Sequence, residues 1–185
     1  MDALLAKDEK KLVPWGGTID ELARIGFVMA EAVGAHLWGT AAAANPFYMG
    51  DVAVAGLRYI CGILHGTIAG DPMTNWPGPA VSSGADFERS LRCYRAHGAV
   101  VRIDWLCPKT TYFGPGGMQA ELGGKAERSL DHARALRRIA AHHSGLARAV
   151  RKADGTVNLR LSPKTIVRVP RESIERVLRS ALAEG

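Results

Sequence analysis

Apolar residues recur at helical spacing from Thr18 onward. Ile19, Leu22, Ile25, Met29, Val33 and Leu37 repeat every three or four positions, the period of one helix face. Thr18 followed by Glu21 supplies a capping box, in which each side chain satisfies the other residue's free backbone N–H. Asn45-Pro46 ends the run, because the residue before a proline is pushed out of helical geometry. One long helix is therefore expected over 18–45. A second is expected from Asp51, with Val54, Leu57, Cys61, Leu64 and Ile68 on one stripe. Gly62, Gly66 and Gly70 line an adjacent stripe at four-residue spacing, matched on the first helix by Ala35, Gly39 and Ala43. Small residues at that spacing let helix backbones approach closely. Residues 18–70 thus read as a helical hairpin whose glycine face serves self-association or a protein partner. Arg58 and His65 interrupt 52–69, and Glu31 and His36 interrupt the first helix. A membrane span is not expected.

Past the Pro-, Gly- and Ser-dense stretch 71–85, "ADFERSLRCYRAHG" (85–98) has the pattern of a short helix. "AVVRIDWL" (99–106) alternates as a strand does, with Val101, Ile103 and Trp105 on one side. From Lys125, a long helix is expected, its core stripe formed by His132, Leu136, Ile139, His143, Leu146 and Val150. Ser144-Gly145 is a point at which that run can divide into two helices. "TVNLRLSPKTIVRV" (156–169) reads as a β-hairpin turning at Ser162-Pro163-Lys164, and "PRESIERVLRSALAEG" (170–185) as a closing helix.

The expected fold class is α+β and predominantly helical. A tail covers 1–17, the helical hairpin 18–70, a linker loop 71–85, and a basic helical unit with a small β-hairpin 86–185. The order of helix, turn, helix and hairpin over about 126–170 resembles the layout of a winged helix. That resemblance implies a recognition helix followed by a hairpin that touches the nucleic-acid backbone.

Charge sharpens this reading. The net charge of +6 is made of +9 over residues 86–185 (19 Lys and Arg against 10 Asp and Glu) and −3 over 1–85 (5 against 8). A basic half of that kind suits a polyanion. Arg134, Arg137 and Arg138, with Arg148, Arg151 and Lys152, fall opposite the core stripe and form a cationic face. Arg160, Lys164 and Arg168 add cations on the expected hairpin. In the loop "CPKTTYFGPGGM" (107–118), Lys109 stands close to Tyr112 and Phe113, a pairing that suits phosphate contact and stacking on unpaired bases. The nearby "QAELGGKA" lacks the first Gly and final Ser/Thr of a phosphate-cradling Walker loop.

Two Cys-x3-His-Gly echoes, "CGILHG" (61–66) and "CYRAHG" (93–98), raise the question of metal. On facing helices, Cys61, His65, Cys93 and His97 would complete the tetrahedral shell of a structural zinc. The simpler reading, which we prefer, is two buried thiols and two glycine-capped helix ends. On that reading no cofactor is expected. Three cysteines at wide spacing, with no signal-like segment in the first residues, point to a cytoplasmic chain.

Nucleophile elbow, HExxH and dinucleotide fingerprint are all missing from the sequence. The expectation is a non-catalytic nucleic-acid-binding subunit, DNA or RNA, of a larger assembly. Two alternatives stand beside it. One is a structural protein docking an acidic partner. The other is a zinc- or His-dependent enzyme on a phosphate-bearing substrate, with His142 beside Arg134 or Arg138 as acid–base groups.

Overall fold

The computed structural model describes residues 3–74, 84–110 and 125–183. These form, in chain order, β1 (Ala3–Asp8), β2 (Lys11–Pro14), α1 (Ile19–Ala32), β3 (Leu37–Thr40), a 3₁₀ turn (Pro46–Tyr48), β4 (Val52–Gly56) and β5 (His65–Thr67). There follow α2 (Ala85–His97), β6 (Val100–Ile103), β7 (Leu106–Lys109), α3 (Lys125–His142), β8 (Ala147–Arg151), β9 (Val157–Leu161), β10 (Ile166–Pro170) and α4 (Arg171–Ala183). The strands make three sheets, ordered β2-β1-β7, β10-β4-β6-β3-β5 and β8-β9. Among the described strands, only β3 and β6 pair in parallel. With 35% helix and 30% strand this is a mixed α/β fold, which corrects the predominantly helical expectation.

The correction begins at the end of α1. Its start is as expected: Thr18 Oγ1 accepts from the Glu21 amide at 3.2 Å, and Glu21 Oε2 accepts from the Thr18 amide at 2.6 Å. The helix then stops at Ala32, well short of Asn45. Gly34 takes φ +64°, its N–H donates to Glu31 O, and the Ala35 N–H donates to Ala30 O. This double closure satisfies the terminal carbonyls and needs a left-handed residue, which glycine supplies without a Cβ penalty. Ala35 and Gly39 therefore never form a helical stripe with Ala43, and Leu37–Thr40 become β3.

The second expected helix is absent as well. Val52–Gly56 is β4, a strand between β10 and β6. Its Val-Ala-Val-Ala run is apolar on both faces because both faces are covered, and such a run has no period that separates strand from helix. Cys61 and Gly62 lie in a loop clasped to α2: the Ile60 amide donates to Ser90 Oγ, and the Gly62 amide donates to Asp86 Oδ2. Gly66 is in β5, and Gly70 lies beyond it with φ +81°. The glycine stripe on which self-association rested does not form.

The five-stranded sheet has two distinct faces. Trp38, Ala53, Ala55, Val101 and Ile103 pack against Leu22, Ile25 and Met29 of α1 and Ile174 of α4. Trp38 is only 3% exposed. Its indole is seated between Gly26 of α1 and Gly66 of β5, where an added Cβ at either glycine would run into the ring. On the opposite face, Leu37 and Val100 meet Ile60 and Cys93, so α2 covers that end. Asp104–Trp105 then carry the chain from β6 across to β7 in the three-stranded sheet.

The expected hairpin over 156–169 also pairs differently. β9 pairs with β8, and β10 crosses to pair with β4. The working turn is Lys152–Thr156, closed by Lys152 N–H to Thr156 O at 2.8 Å, with Gly155 at φ +82°. Asp154 Oδ1 accepts from both the Thr156 amide and its hydroxyl. Asp-Gly is a strong hairpin signal, and here it makes Ala147–Arg151 a strand rather than the end of a helix. The winged-helix layout is lost with it, since β10 belongs to another sheet. The stripe expected along α3 is kept by Leu136 and Ile139, with His143 just past its end also buried; in α4 Ile174 is buried but Val177, expected on the same face, is 58% exposed.

Among the described residues, no helix is long and apolar enough to cross a membrane.

Replacing Gly26 by Ala normally favours a helix by about 1 kcal/mol. Here the new methyl meets the Trp38 ring, and we expect a net loss of about 1–3 kcal/mol from overpacking. Urea denaturation of the Gly26→Ala protein checks this; a midpoint at or above wild type would refute the Trp38 seat.

Candidate functional site

The predicted cations do not share one surface. Leu136 and Ile139 of α3 and Ala147 and Leu159 of the β8–β9 pair belong to one apolar cluster, so each element turns its other face outward. The exposed Arg134, Arg137 and Arg138 lie on the far side of α3, and the exposed Arg148 and Arg160 on the far side of the hairpin. Arg134 also faces Asp131 at 3.4 Å, an exposed pair of little energetic weight. Arg148 and Arg160 sit directly opposite each other in register, and like charges so placed repel. Arg151 and Lys152 flank the hairpin turn, Lys164 precedes β10, and Lys109 ends β7, all exposed. Tyr112, Phe113 and the glycines of 114–124 lie outside the described residues.

Arg168 is brought into a group that the sequence reading missed. Val54 of β4 pairs with Arg168 of β10 on one side and with Arg102 of β6 on the other. Directly paired residues project from the same face, so two arginines stand two strands apart, roughly 10 Å between backbones. Asp104, 7% exposed, holds Arg102 side-on: Arg102 Nε donates to Asp104 Oδ1 at 2.5 Å and Nη2 to Oδ2 at 3.2 Å. Arg58, in the loop after β4, is the third cation. Burial lowers its pKa, as do the guanidiniums of Arg102 and Arg168, against the opposing pull of Asp104. Its Nε is buried and makes no hydrogen bond among the described residues. Arg58 thus feels two neighbouring guanidiniums and one carboxylate, and that carboxylate is already bonded to Arg102, while Arg168 is exposed. The available signal was Arg102 itself, a cation alternating with Val101 and Ile103 on the other side of a strand.

The four proposed zinc ligands are not brought together. Cys61 is buried in the loop before β5, and His65 Nδ1 lies 3.2 Å from Gly62 O. Cys93 is buried in α2, where burial first and Asp71 second push its thiol up to about 11. The glycine-capped end expected for 93–98 is present, with Gly98 at φ +77°; 61–66 has no helix to cap. His97 instead joins Asp71 and His36.

Asp71 is buried, and its Oδ2 lies 2.9 Å from His36 Nδ1 and 2.7 Å from His97 Nε2. Its Oδ1 accepts from the Met73 amide at 2.8 Å. The two imidazoles are stacked, 3.8 Å apart and 19° from parallel. The three ligand atoms lie within 4.8 Å of one another, which is near enough for an ion. However, a metal–imidazole bond lies close to the ring plane, and nearly parallel rings at this spacing cannot both aim at one ion between them. As arranged, the group is a carboxylate that accepts two ring N–H bonds, tying the start of β3, the turn after β5 and the end of α2. A metal would require the rings to splay.

The second such cluster joins Glu88, His142 and His143. His143 Nε2 stands 3.0 Å from Glu88 Oε1, with His143 wholly buried and His142 exposed. Burial raises the Glu88 pKa, but His143 outweighs it, leaving the carboxyl below its ordinary range. His143 thus serves the α2–α3 contact. A cavity of about 380 Å³ beside Trp15 and Trp105 is lined by Glu21 and Glu175 as well as Arg24 and Arg179, so its charges balance. Compared with protein-family models, curated proteins and solved structures, the chain matches none.

Burial raises the Asp71 pKa, yet the Met73 amide, His97 and His36 more than offset this and hold it below the ordinary carboxylate value. A group with a depressed folded-state pKa stabilises above its unfolded pKa and loses that contribution as pH falls through the folded one. Asp71→Asn should therefore cost about 1–3 kcal/mol at neutral pH, and the gap to wild type should close below about pH 4. Urea midpoints over a pH series test this, and a gap that is constant down to acid pH would count against the carboxylate's role.

Proposed function

We propose that this is a cytoplasmic nucleic-acid-binding protein without catalysis of its own, holding phosphates on the face of the five-stranded sheet that bears Arg102 and Arg168, with Arg58 beside them. The observation that carries the reading is the excess of guanidinium over carboxylate on one face. Asp104 can balance one of the three cations, and a phosphate diester offers the acceptor oxygens that the others lack. Arginine suits this role through its planar, forked donors. The overall charge of +6 favours approach of a polyanion. All three cysteines are free thiols, which agrees with a reducing compartment.

The outward arginines of α3 lie on another side of the molecule, and in this reading they add only long-range attraction. A partner of acidic protein would be drawn to the same face, but it lacks the regular spacing of charge that makes affinity fall steeply with salt.

Fluorescence anisotropy with labelled DNA and RNA across a potassium chloride series is the test. For wild type, log K should fall linearly with log salt. The double variant Arg102→Ala/Arg168→Ala should bind roughly tenfold or more weakly, with a slope shallower by about two. Arg134→Ala/Arg138→Ala should change the slope little. A flat salt dependence, or a slope lost through the α3 pair instead, would remove this proposal.

A further inference from the structure

Two aromatic side chains stand almost bare on the loop that joins β3 to β4. Phe47 is 83% exposed and Tyr48 69%. They lie edge to face, with ring centroids 5.1 Å apart. Their backbone is firmly built. Pro46 opens the 3₁₀ turn, Asn45 Oδ1 accepts from the Phe47 amide at 3.0 Å, and the Tyr48 amide donates to Asn45 O at 3.0 Å. Met49, next in the chain, is buried, and its carbonyl accepts from Lys7 Nζ at 2.9 Å. The loop leaves β3 at Thr40 and re-enters the sheet at Val52, whose carbonyl accepts from the Asp104 amide. The aromatic tip is therefore rooted at the end of the sheet where Asp104 holds Arg102.

A single exposed apolar residue is ordinary. Two adjacent rings on a fixed turn, in a loop rooted at the strand end where Asp104 holds Arg102, combine with those arginines into the composition of a site for unpaired nucleotides, in which cations follow the backbone and aromatic faces receive bases. A duplex keeps its base faces stacked inside and offers none to a protruding ring.

We infer that the ligand is single-stranded nucleic acid, with bases stacked on Phe47 and Tyr48 while the sheet arginines hold its phosphates. This inference rests on the phosphate-binding reading and adds the strand state to it. No sequence preference follows, because every base has a π-face.

The test compares labelled oligothymidylate with a duplex of the same length at one salt concentration, using the full chain. Wild type should bind the single strand at least tenfold more tightly. Phe47→Ala/Tyr48→Ala should lose that preference, roughly ten- to a hundredfold on the single strand, while duplex binding and the salt slope stay as they were. Both positions are exposed, so the fold should be kept, and circular dichroism checks this. Phe47→Trp should retain the preference, and its fluorescence should be quenched by oligothymidylate. Equal binding of both forms, or an equal loss for both in the double variant, overturns the strand inference and leaves phosphate binding standing. Binding of neither form removes both.

Discussion

Val54 pairs with Arg168 on one side and with Arg102 on the other, and the basic face depends on that double register. Because β4 lies between β6 and β10, residues 66 positions apart in sequence are held two strands apart in space. A slip of one residue in either ladder would send one guanidinium through to the α1 face. That slip is opposed by the other face of the same strands, where Ala53, Ala55, Val101 and Ile103 are packed under α1 and Trp38 is seated between two glycines. Apolar packing on one side thus sets the placement of charge on the other.

The polar clusters follow a common logic. Asp71 and Asp104 are both buried carboxylates, the first bonded to two imidazoles and the second to one guanidinium with others nearby. Around Asp71 the account closes: two imidazoles and an amide satisfy it, and three chain segments are tied together. Around Asp104 it does not, since Arg102 takes both carboxylate oxygens and Arg58 and Arg168 remain. An unpaired buried or half-buried cation is costly, and the cost falls when an anion arrives. That difference separates a satisfied latch from a face left with surplus positive charge. Glu88 and His143 also meet between α2 and α3, 3.0 Å apart, but neither ring nitrogen of His143 completes a hydrogen bond among the described residues.

Much of the chain was legible before any coordinates. The Thr18–Glu21 capping box, α2 with its glycine end, the core stripe of α3 and the existence of α4 follow from local spacing and cap chemistry, while the strand expected over 99–106 is cut at Ile103 by a turn at Asp104–Trp105. The errors were also local in origin. The apolar period runs a helix straight through Gly34, which instead closes α1 in a left-handed conformation, and Asp154-Gly155 makes a turn that places the hairpin one strand earlier than 156–169 suggests. In β4, alternation of Val and Ala is apolar throughout, so the pattern carried no period to read. Of the candidate site residues, Arg168 joins the basic face, while the α3 and β8–β9 arginines are held apart by their shared core. Arg58 and Arg102 were not singled out, because an isolated arginine in an apolar run gives no hint of its partners.

By itself, the amino-acid order determined which segments could cap, stop or turn, how much positive charge the second half carries, and that no familiar catalytic spacing is present. The tertiary structure alone decided which strands became neighbours, and so which charges met. The physical reason is that caps and turns are settled by a few adjacent residues through hydrogen bonds and φ, whereas strand order is settled by burial of apolar surface from distant parts of the chain. Net charge is a property of composition; an anion-binding face is a property of register.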